Sequence, residues 1–311
     1  MTKTTIGVDI SKDCLDAYRL PHQSAKQFDN TKTGIRAFRK WAGEDVDRIV
    51  FEPTGPYHRT FEGACAKAGF ALLKVNPKNA RRFAEGIGVL AKTDRVDAAV
   101  LARMGQIEEL PSRPVADEKL NQFKELIGAR RALVKERTRI KNRSKNLTVR
   151  LVKNQHQRRL DQIKRDMAAI DEAMRAMAKD DPASSRKFEI LVSIPGLGEQ
   201  TAFAFLIDMP ELGTMSAKQA AALAGLAPIT RQSGQWRGRA MIAGGRKMLR
   251  DALYMPALVA TRFNEDLKRK YDDLIDRGKP AKLAITAIMR KIVILANALI
   301  RDDRVWTPQN P

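Results

Sequence analysis

The sequence predicts an α/β domain at the N-terminus followed by a remainder built of helices. Three observations carry this. Short apolar runs with strand-like alternation are confined to roughly the first 112 residues and are interleaved with helix-like segments. From about residue 116 helix formers dominate, and no strong breaker intervenes before Asp181-Pro182. Beyond that break the apolar residues again recur at helical spacing. A chain of 311 residues with 43% hydrophobic content is long enough for two or three domains with real cores.

Taken in order, Ile6-Gly7-Val8-Asp9-Ile10 reads as a buried strand and Cys14 to Leu20 as an alternating, half-exposed one. A polar segment, Lys26-Gln27-Phe28-Asp29-Asn30, reads as a third, short edge strand. Gly34 to Ala42 is helical, Arg48-Ile49-Val50-Phe51 a strand, His58 to Ala68 a helix, and Ala71-Leu72-Leu73-Lys74-Val75 a strand stopped by Asn76-Pro77. Two more helical stretches follow. Three consecutive strands, then alternating helix and strand, describe a mixed sheet flanked by helices. That order is the order of an RNase H-like domain. A dinucleotide-binding domain is excluded, because no G-x-G-x-x-G follows the first strand.

In the second region Leu126, Leu133, Ile140 and Leu147 recur every seven residues, and Leu160, Ile163, Met167, Ile170, Met174 and Met177 alternate three and four apart. This is coiled-coil spacing, in a hairpin or between chains; the alternative is one or two amphipathic helices packed on their own domain. The polar face from residue 130 to 159 is rich in arginine and lysine, including Arg130, Arg131, Arg137, Lys141, Arg143 and Lys145, against Glu136 alone. It reads either as a solvated face or as a surface that tracks phosphates. After the linker, Phe188 to Ile194, the turn Pro195-Gly196-Leu197-Gly198 and Glu199 to Ile207 look like a helix-hairpin-helix. Gly196 and Gly198 there would let backbone N–H groups approach a phosphate, or would simply connect two helices. Ala217 to Ala224, Lys247 to Val259 and Lys282 to Ile300 complete the helical set. The expected domains are 1–113, 114–181 and 182–311.

Charge narrows the function. A net charge of +21 and a pI near 10.2 favour a polyanionic partner, with nucleic acid leading. No apolar h-region follows the acidic Asp9 near the start, so no signal peptide is read. Arg290 and Lys291 interrupt the most apolar late stretch, which argues against a membrane span. Cys14 and Cys65 are too few for a disulfide framework or a zinc cluster. A cytoplasmic setting is expected.

Asp9, Glu52, Asp94 and Asp97 stand out in this basic chain. Asp9 and Glu52 close strand-like runs, while Asp94 and Asp97, three apart, share one helical face. Two unit charges about 4 Å apart repel by roughly 4 kcal/mol at an effective dielectric near 20, so four gathered carboxylates need cations. A Mg²⁺ site acting on phosphodiesters, with Mn²⁺ as a possible substitute, meets that need. Individually, each acid could also cap a helix or face solvent.

The second constellation is Arg231-Gln232-Ser233-Gly234-Gln235-Trp236-Arg237-Gly238-Arg239. Arg231, Arg237 and Arg239 could hold phosphate oxygens, and Ser233 reads either as a nucleophile or as a hydrogen-bond donor in a gripping loop. The histidines are His22, His58 and His156, so a Ser–His–Asp arrangement local to Ser233 is excluded. Activation would have to come from elsewhere, foremost from metal held by the N-terminal carboxylates. Tyr57 and Tyr254 are rival nucleophiles.

Along nearly its whole length the chain resembles one family of insertion-sequence transposases. Gly7 to Lys12, Phe51 to Gly55 and Lys92 to Ala98 are similar to its DEDD motifs. Ile194 to Gly198, Leu223 to Pro228, Ser233-Gly234 and Gly244-Gly245-Arg246-Lys247 are similar to its C-terminal domain. That family is insertion sequence one-ten, the bridge-RNA-guided recombinases. The resemblance implies a RuvC-like domain, a coiled coil and a small transposase domain. It implies Mg²⁺ on Asp9, Glu52, Asp94 and Asp97, and a covalent phosphoserine link from Ser233 to DNA. It also implies an RNA from the element that pairs with donor and target DNA. A homodimer or tetramer is expected. Two other classes stay open: a hydrolytic RuvC-like junction resolvase, and a non-catalytic nucleic-acid-organising protein.

Overall fold

The computed structural model describes residues 4–91, 93–107, 118–230, 232–238 and 240–308. The chain divides into two compact units, Met1–Asp117 and Glu118–Pro311.

In the first unit β1 (Thr5–Ile10), β2 (Cys14–Leu20) and β3 (Ser24–Asp29) form an antiparallel meander. After α1 (Lys32–Ala42), β4 (Arg48–Phe51) returns parallel to β1. Then α2 (His58–Lys67) leads to β5 (Leu72–Lys74), parallel to β4. The resulting five-stranded mixed sheet has the order β3-β2-β1-β4-β5, consistent with the RNase H-like expectation. Strand alternation splits the core in two. Ile6, Val8, Ile10, Ile49 and Phe51 point to one face and pack with Ile35 and Phe38 of α1 and Phe61 of α2. Val50 and Leu73 point to the other, where they meet Ala80 of α3 (Pro77–Gly86) and Leu101 and Met104 of α4 (Asp94–Met104).

The second unit contains both long helices of the expected coil. The helices α5 (Glu118–Ser144) and α6 (Arg150–Lys179) lie antiparallel, since Arg130 pairs with Asp171, Glu136 with Arg159, and Ser144 with His156. Of the two coil arrangements, the chain forms the hairpin, and its turn at 145–149 contains neither Gly nor Pro. Ile140, Ile163 and Met167 pack between the two helices. At the other end Phe123, Ile127, Met174 and Ala178 merge with the main helical core, so the heptad stripe serves both purposes.

That core is built by α7 (Pro182–Ser193), α8 (Glu199–Asp208), α9 (Ala217–Leu223), α10 (Lys247–Phe263), α11 (Glu265–Asp276) and α12 (Ala281–Arg301). Between α9 and α10 lie four two-residue strands: β6 (Pro228–Ile229), β7 (Gln232–Ser233), β8 (Trp236–Arg237) and β9 (Met241–Ile242). They pair antiparallel as β6–β9 and β7–β8. Among the described helices, α12 alone is long and apolar enough to cross a membrane. Half of that stretch is buried within its own unit, where Ile285, Ile288, Ile292 and Val293 fill the core, as in the central helix of a globular protein.

Candidate catalytic site

The site begins with register. Val8 of β1 pairs with Phe51 of β4, so Asp9 and Glu52, each one residue further along, stand side by side toward the C-terminal ends of two adjacent inner strands. Alternation turns both toward the face covered by α4. That helix lies tight on β1 because Gly7 has no side chain: a Cβ there would stand 2.1 Å from the carbonyl oxygen of Ala98. Gly105 does the same at the far end, where a Cβ would meet Val50 and Thr5 side chains at 2.4 and 2.5 Å. The first turn of α4 is set by Thr93, whose hydroxyl accepts the Val96 N–H at 3.3 Å, and it carries Asp94 and Asp97.

The electrostatics report the gathering. Asp9 is half-buried, and its carboxyl is pushed up to about 6. Burial is the largest cause, followed by the charges of Asp94, Asp97, Glu52 and Asp16. Glu52 and Asp97 also line a cavity of about 260 Å³ together with Arg81 of α3. As they stand, no three acidic, histidine or cysteine side chains among the described residues are close enough together to grip a metal ion. The donor chemistry nevertheless fits Mg²⁺, which takes carboxylate oxygens and relieves the mutual repulsion seen at Asp9.

Sequence reasoning missed Asp16. In the β1–β2 register it sits directly opposite Asp9, which adds a fifth carboxylate to this end of the sheet. Burial raises its pKa and a 3.0 Å hydrogen bond from Gln27 opposes the rise. Its place on the polar face of the alternating β2 run was the signal. A second group also escaped notice. Lys74, at the end of β5, donates to the buried Glu62 at 2.6 Å and lies 3.4 Å from His58. The i,i+4 spacing of His58 and Glu62 on α2 was the available clue. Burial and the Lys74 charge push the His58 pKa down.

Ser233 lies in the second unit, on an exposed hairpin. It pairs with Trp236 across a two-residue turn, Gly234-Gln235, in which Gly234 has φ +56°. Only glycine adopts that conformation without strain, and nothing stands within 4 Å of where its Cβ would be. The serine is thus held out into solvent.

Two family descriptions match the chain: a DEDD transposase over residues 6–151, and the transposase IS116/IS110/IS902 family over residues 188–272. The chain belongs to the IS110 family of transposases. It is similar over 98% of both chains, at 29% identity, to the pilin gene-inverting protein of Moraxella bovis. The same identity and coverage hold for the pilin gene-inverting protein of Moraxella lacunata. A 42 kDa protein of insertion element IS900 from Mycobacterium paratuberculosis is 33% identical over 43% of this chain and 34% of its own length. The chain is therefore a transposase, and its substrates are DNA. Asp9 and Glu52 stand at the ends of the inner strands β1 and β4, Asp94 and Asp97 in the first turn of α4, and Ser233 on the hairpin of the other unit.

The basic positions of this IS110-family chain divide in two. Lys141, Arg143 and Lys145 are exposed near the tip of the helical hairpin, and Arg137 is half-buried. Arg130 instead holds Asp171, and Arg131 donates to Asp208 of α8 at 2.8 Å, so both guanidinium groups are committed to protein carboxylates that join helices. Arg246 likewise makes two 2.6 Å bonds to Glu211, and Lys247 pairs with Asp251. Arg237 is exposed opposite Gln232 on the same hairpin, while Arg231 and Arg239 lie outside the described residues. Gly196, at φ +99°, lets the α7–α8 turn press on Ala260 of α10, where a Cβ would come within 2.9 Å. That close packing favours the connector reading of the turn. Gly198 caps α8, with open space where a Cβ would lie. Of the rival tyrosines, Tyr57 immediately precedes α2 and Tyr254 lies on α10, both exposed.

Proposed function

We propose that the protein is a DNA recombinase that cuts and exchanges strands by transesterification through a phosphoserine link, with an RNA from the element choosing the sites. Ser233 Oγ attacks the phosphorus of a DNA phosphodiester. A P–O bond to deoxyribose breaks, the serine proton passes to a base, and the departing oxygen takes up a proton. A DNA hydroxyl later attacks the phosphoserine and releases Ser233, so the bond count is conserved and no external energy is needed. Asp9, Glu52, Asp94 and Asp97 would hold Mg²⁺, or Mn²⁺ in its place. When bound, that ion supplies charge stabilisation at the phosphoryl oxygens. Arg237 would hold the scissile phosphate, and Lys141, Arg143 and Lys145 the nucleic-acid backbone.

One observation supports the reading: in a chain of net charge +21, the carboxyl of Asp9 is raised to about 6 by burial and then by the charges of Asp94, Asp97, Glu52 and Asp16. Their unit holds no serine of the family motif, and the unit with Ser233 holds none of the four acids. The reading thus draws on residues of both units, in a protein expected to work as a dimer or tetramer. To test it, the protein is incubated with element-end DNA, its RNA and Mg²⁺, then denatured. A covalent protein–DNA adduct is expected, absent in Ser233→Ala and in Asp97→Asn. An adduct that persists in Ser233→Ala would overturn the nucleophile assignment. Strand cleavage with no adduct at any time would instead support hydrolysis. That second reading is favoured by all the carboxylates lying in one unit, which needs only water as nucleophile.

A further inference from the structure

Asn30 occupies the junction between β3 and α1 and is half-buried. Its Nδ2 donates to two main-chain carbonyls, that of Ser11 at 2.8 Å and that of Tyr57 at 3.1 Å. Both neighbours can only accept, so the amide must present its nitrogen to them and not its oxygen. Ser11 lies two residues beyond Asp9, in the turn from β1 to β2. Tyr57 closes the segment that runs from Glu52 to the start of α2. One amide group thus ties together the two segments that leave the carboxylate-bearing ends of β1 and β4.

Both tethers are short and stiff. The Ser11 N–H donates to the Cys14 carbonyl at 2.9 Å, and the Ser11 Oγ accepts the Cys14 N–H at 3.0 Å. The backbone N–H of Asn30 donates to the Asp13 carbonyl at 2.8 Å, so the residue grips this turn at two points. On the other side Pro53 and Pro56 have fixed φ angles, and the Tyr57 N–H donates to the Thr54 carbonyl at 3.1 Å. Little slack remains between Asn30 and either Asp9 or Glu52.

Stability alone does not account for this amide. Its Oδ1 is buried and has no hydrogen-bond partner among the described residues. An unmet buried acceptor costs about as much as two ordinary hydrogen bonds contribute, so the side chain is close to neutral for folding. What it supplies is position. Like charges on neighbouring strand ends push those ends apart, and a bridge between the segments that follow them opposes the push.

We infer that Asn30 is a positioning residue for the motif carboxylates: by bridging the Ser11 and Tyr57 carbonyls it fixes the spacing of Asp9 and Glu52 before an ion or substrate arrives. The inference rests on the reading of those carboxylates as a metal site. A cation shared by carboxylates on two strands binds more tightly when the strand ends need no rearrangement.

The test uses the full-length protein without DNA or RNA. Asn30→Ala removes both side-chain bonds and introduces no charge. Arg19→Ala is the control, because it breaks the bonds of Arg19 to Asp45 and to the Ala42 carbonyl at the opposite end of the same sheet. Mn²⁺ affinity is read from the paramagnetic resonance of the free ion, well below every melting temperature. Binding that survives in Asp97→Asn is subtracted as adventitious. Asn30→Ala should bind Mn²⁺ about 10–100-fold more weakly, as when the outer support of a metal ligand is removed. Arg19→Ala should bind like the parent, even where it melts lower. In the metal-free protein, hydrogen exchange at Cys14 and at Tyr57 should accelerate together in Asn30→Ala. Parent-like Mn²⁺ affinity in Asn30→Ala, or an equal loss in Arg19→Ala, would overturn the inference. A parent that bound no Mn²⁺ would instead remove the metal reading, and exchange would then decide alone. Acceleration in both segments upholds the bridge, and acceleration in one or neither rejects it.

Discussion

Gly7 of β1 and Ala98 of α4 approach so closely that a methyl group on Gly7 would lie 2.1 Å from the Ala98 carbonyl oxygen. This backbone contact decides where the first turn of α4 sits, and hence where Asp94 and Asp97 stand relative to Asp9, two residues beyond Gly7 on the same strand face.

Gly7→Ala should therefore separate helix from strand. The added carbon meets backbone, which cannot rotate away, so the cost should exceed the roughly 1–3 kcal/mol of ordinary overpacking. Thermal melting should show the first unit destabilised or unfolded, and transposition should be lost with it. A Gly7→Ala protein that melts like the parent would contradict this packing.

Asp9 gives a pH dependence with a definite sign. Its carboxyl is raised from 3.8 to about 6, so the folded state holds the proton more tightly than the unfolded chain. Its contribution to stability is present in full below about pH 4 and is lost as pH rises through about 6. Without metal, the melting temperature of the parent should fall over that window relative to Asp9→Asn, which cannot titrate. The effect is moderated by solvent screening at this half-buried group. Mg²⁺ should raise the parent's melting temperature at pH 7 and much less at pH 5, where protons compete. Mg²⁺ stabilisation equal in the parent and in Asp9→Asn would remove Asp9 from the site.

Asp16 should report on the same field. Asp16→Asn deletes one of the charges facing Asp9, so Asp9 should titrate lower, by less than burial raises it. Carboxyl-selective NMR of Asp9 measures this directly. Activity should survive, because Asp16 is no part of the proposed metal set.

Lys74 and Glu62 form a buried pair with 22% and 8% of their side chains exposed. Lys74→Met should cost up to about 3–5 kcal/mol by leaving Glu62 with His58, 3.6 Å away, as its remaining partner, and adding Glu62→Gln should recover much of it. A double-mutant cycle by chemical denaturation tests the coupling.

The arginines of α5 should behave in two ways. Arg131→Ala breaks the half-buried bond to Asp208 and should lower stability by about 1–3 kcal/mol. Lys141→Ala and Arg143→Ala, both exposed, should leave melting unchanged. Each should reduce the salt dependence of nucleic-acid binding by about one counterion, read from the slope of affinity against salt.

The N-terminal strands were legible because each is a short apolar or alternating run closed by a breaker: Cys14–Leu20 and Arg48–Phe51 match their expected bounds. The C-terminal unit was less so. The helix α11 escaped the reading although Leu267, Tyr271, Leu274 and Ile275 recur at i, i+4, i+7 and i+8, because charged residues fill the rest of it and Leu267 alone is fully buried. The four strands between α9 and α10 are two residues long, too short for any alternation to register. The turn at 145–149 was not marked, because it contains neither Gly nor Pro and the helix formers continue through it.

By itself the sequence determined the α/β order, the basic character, the residue types of a metal site and the family motifs, since these depend on spacing and composition along the chain. Tertiary structure alone decided that Asp16 stands opposite Asp9 and that Arg130, Arg131 and Arg246 are taken by carboxylates. Each depends on residues far apart in sequence coming within a few ångströms, and on what burial then does to their charges and hydrogen bonds.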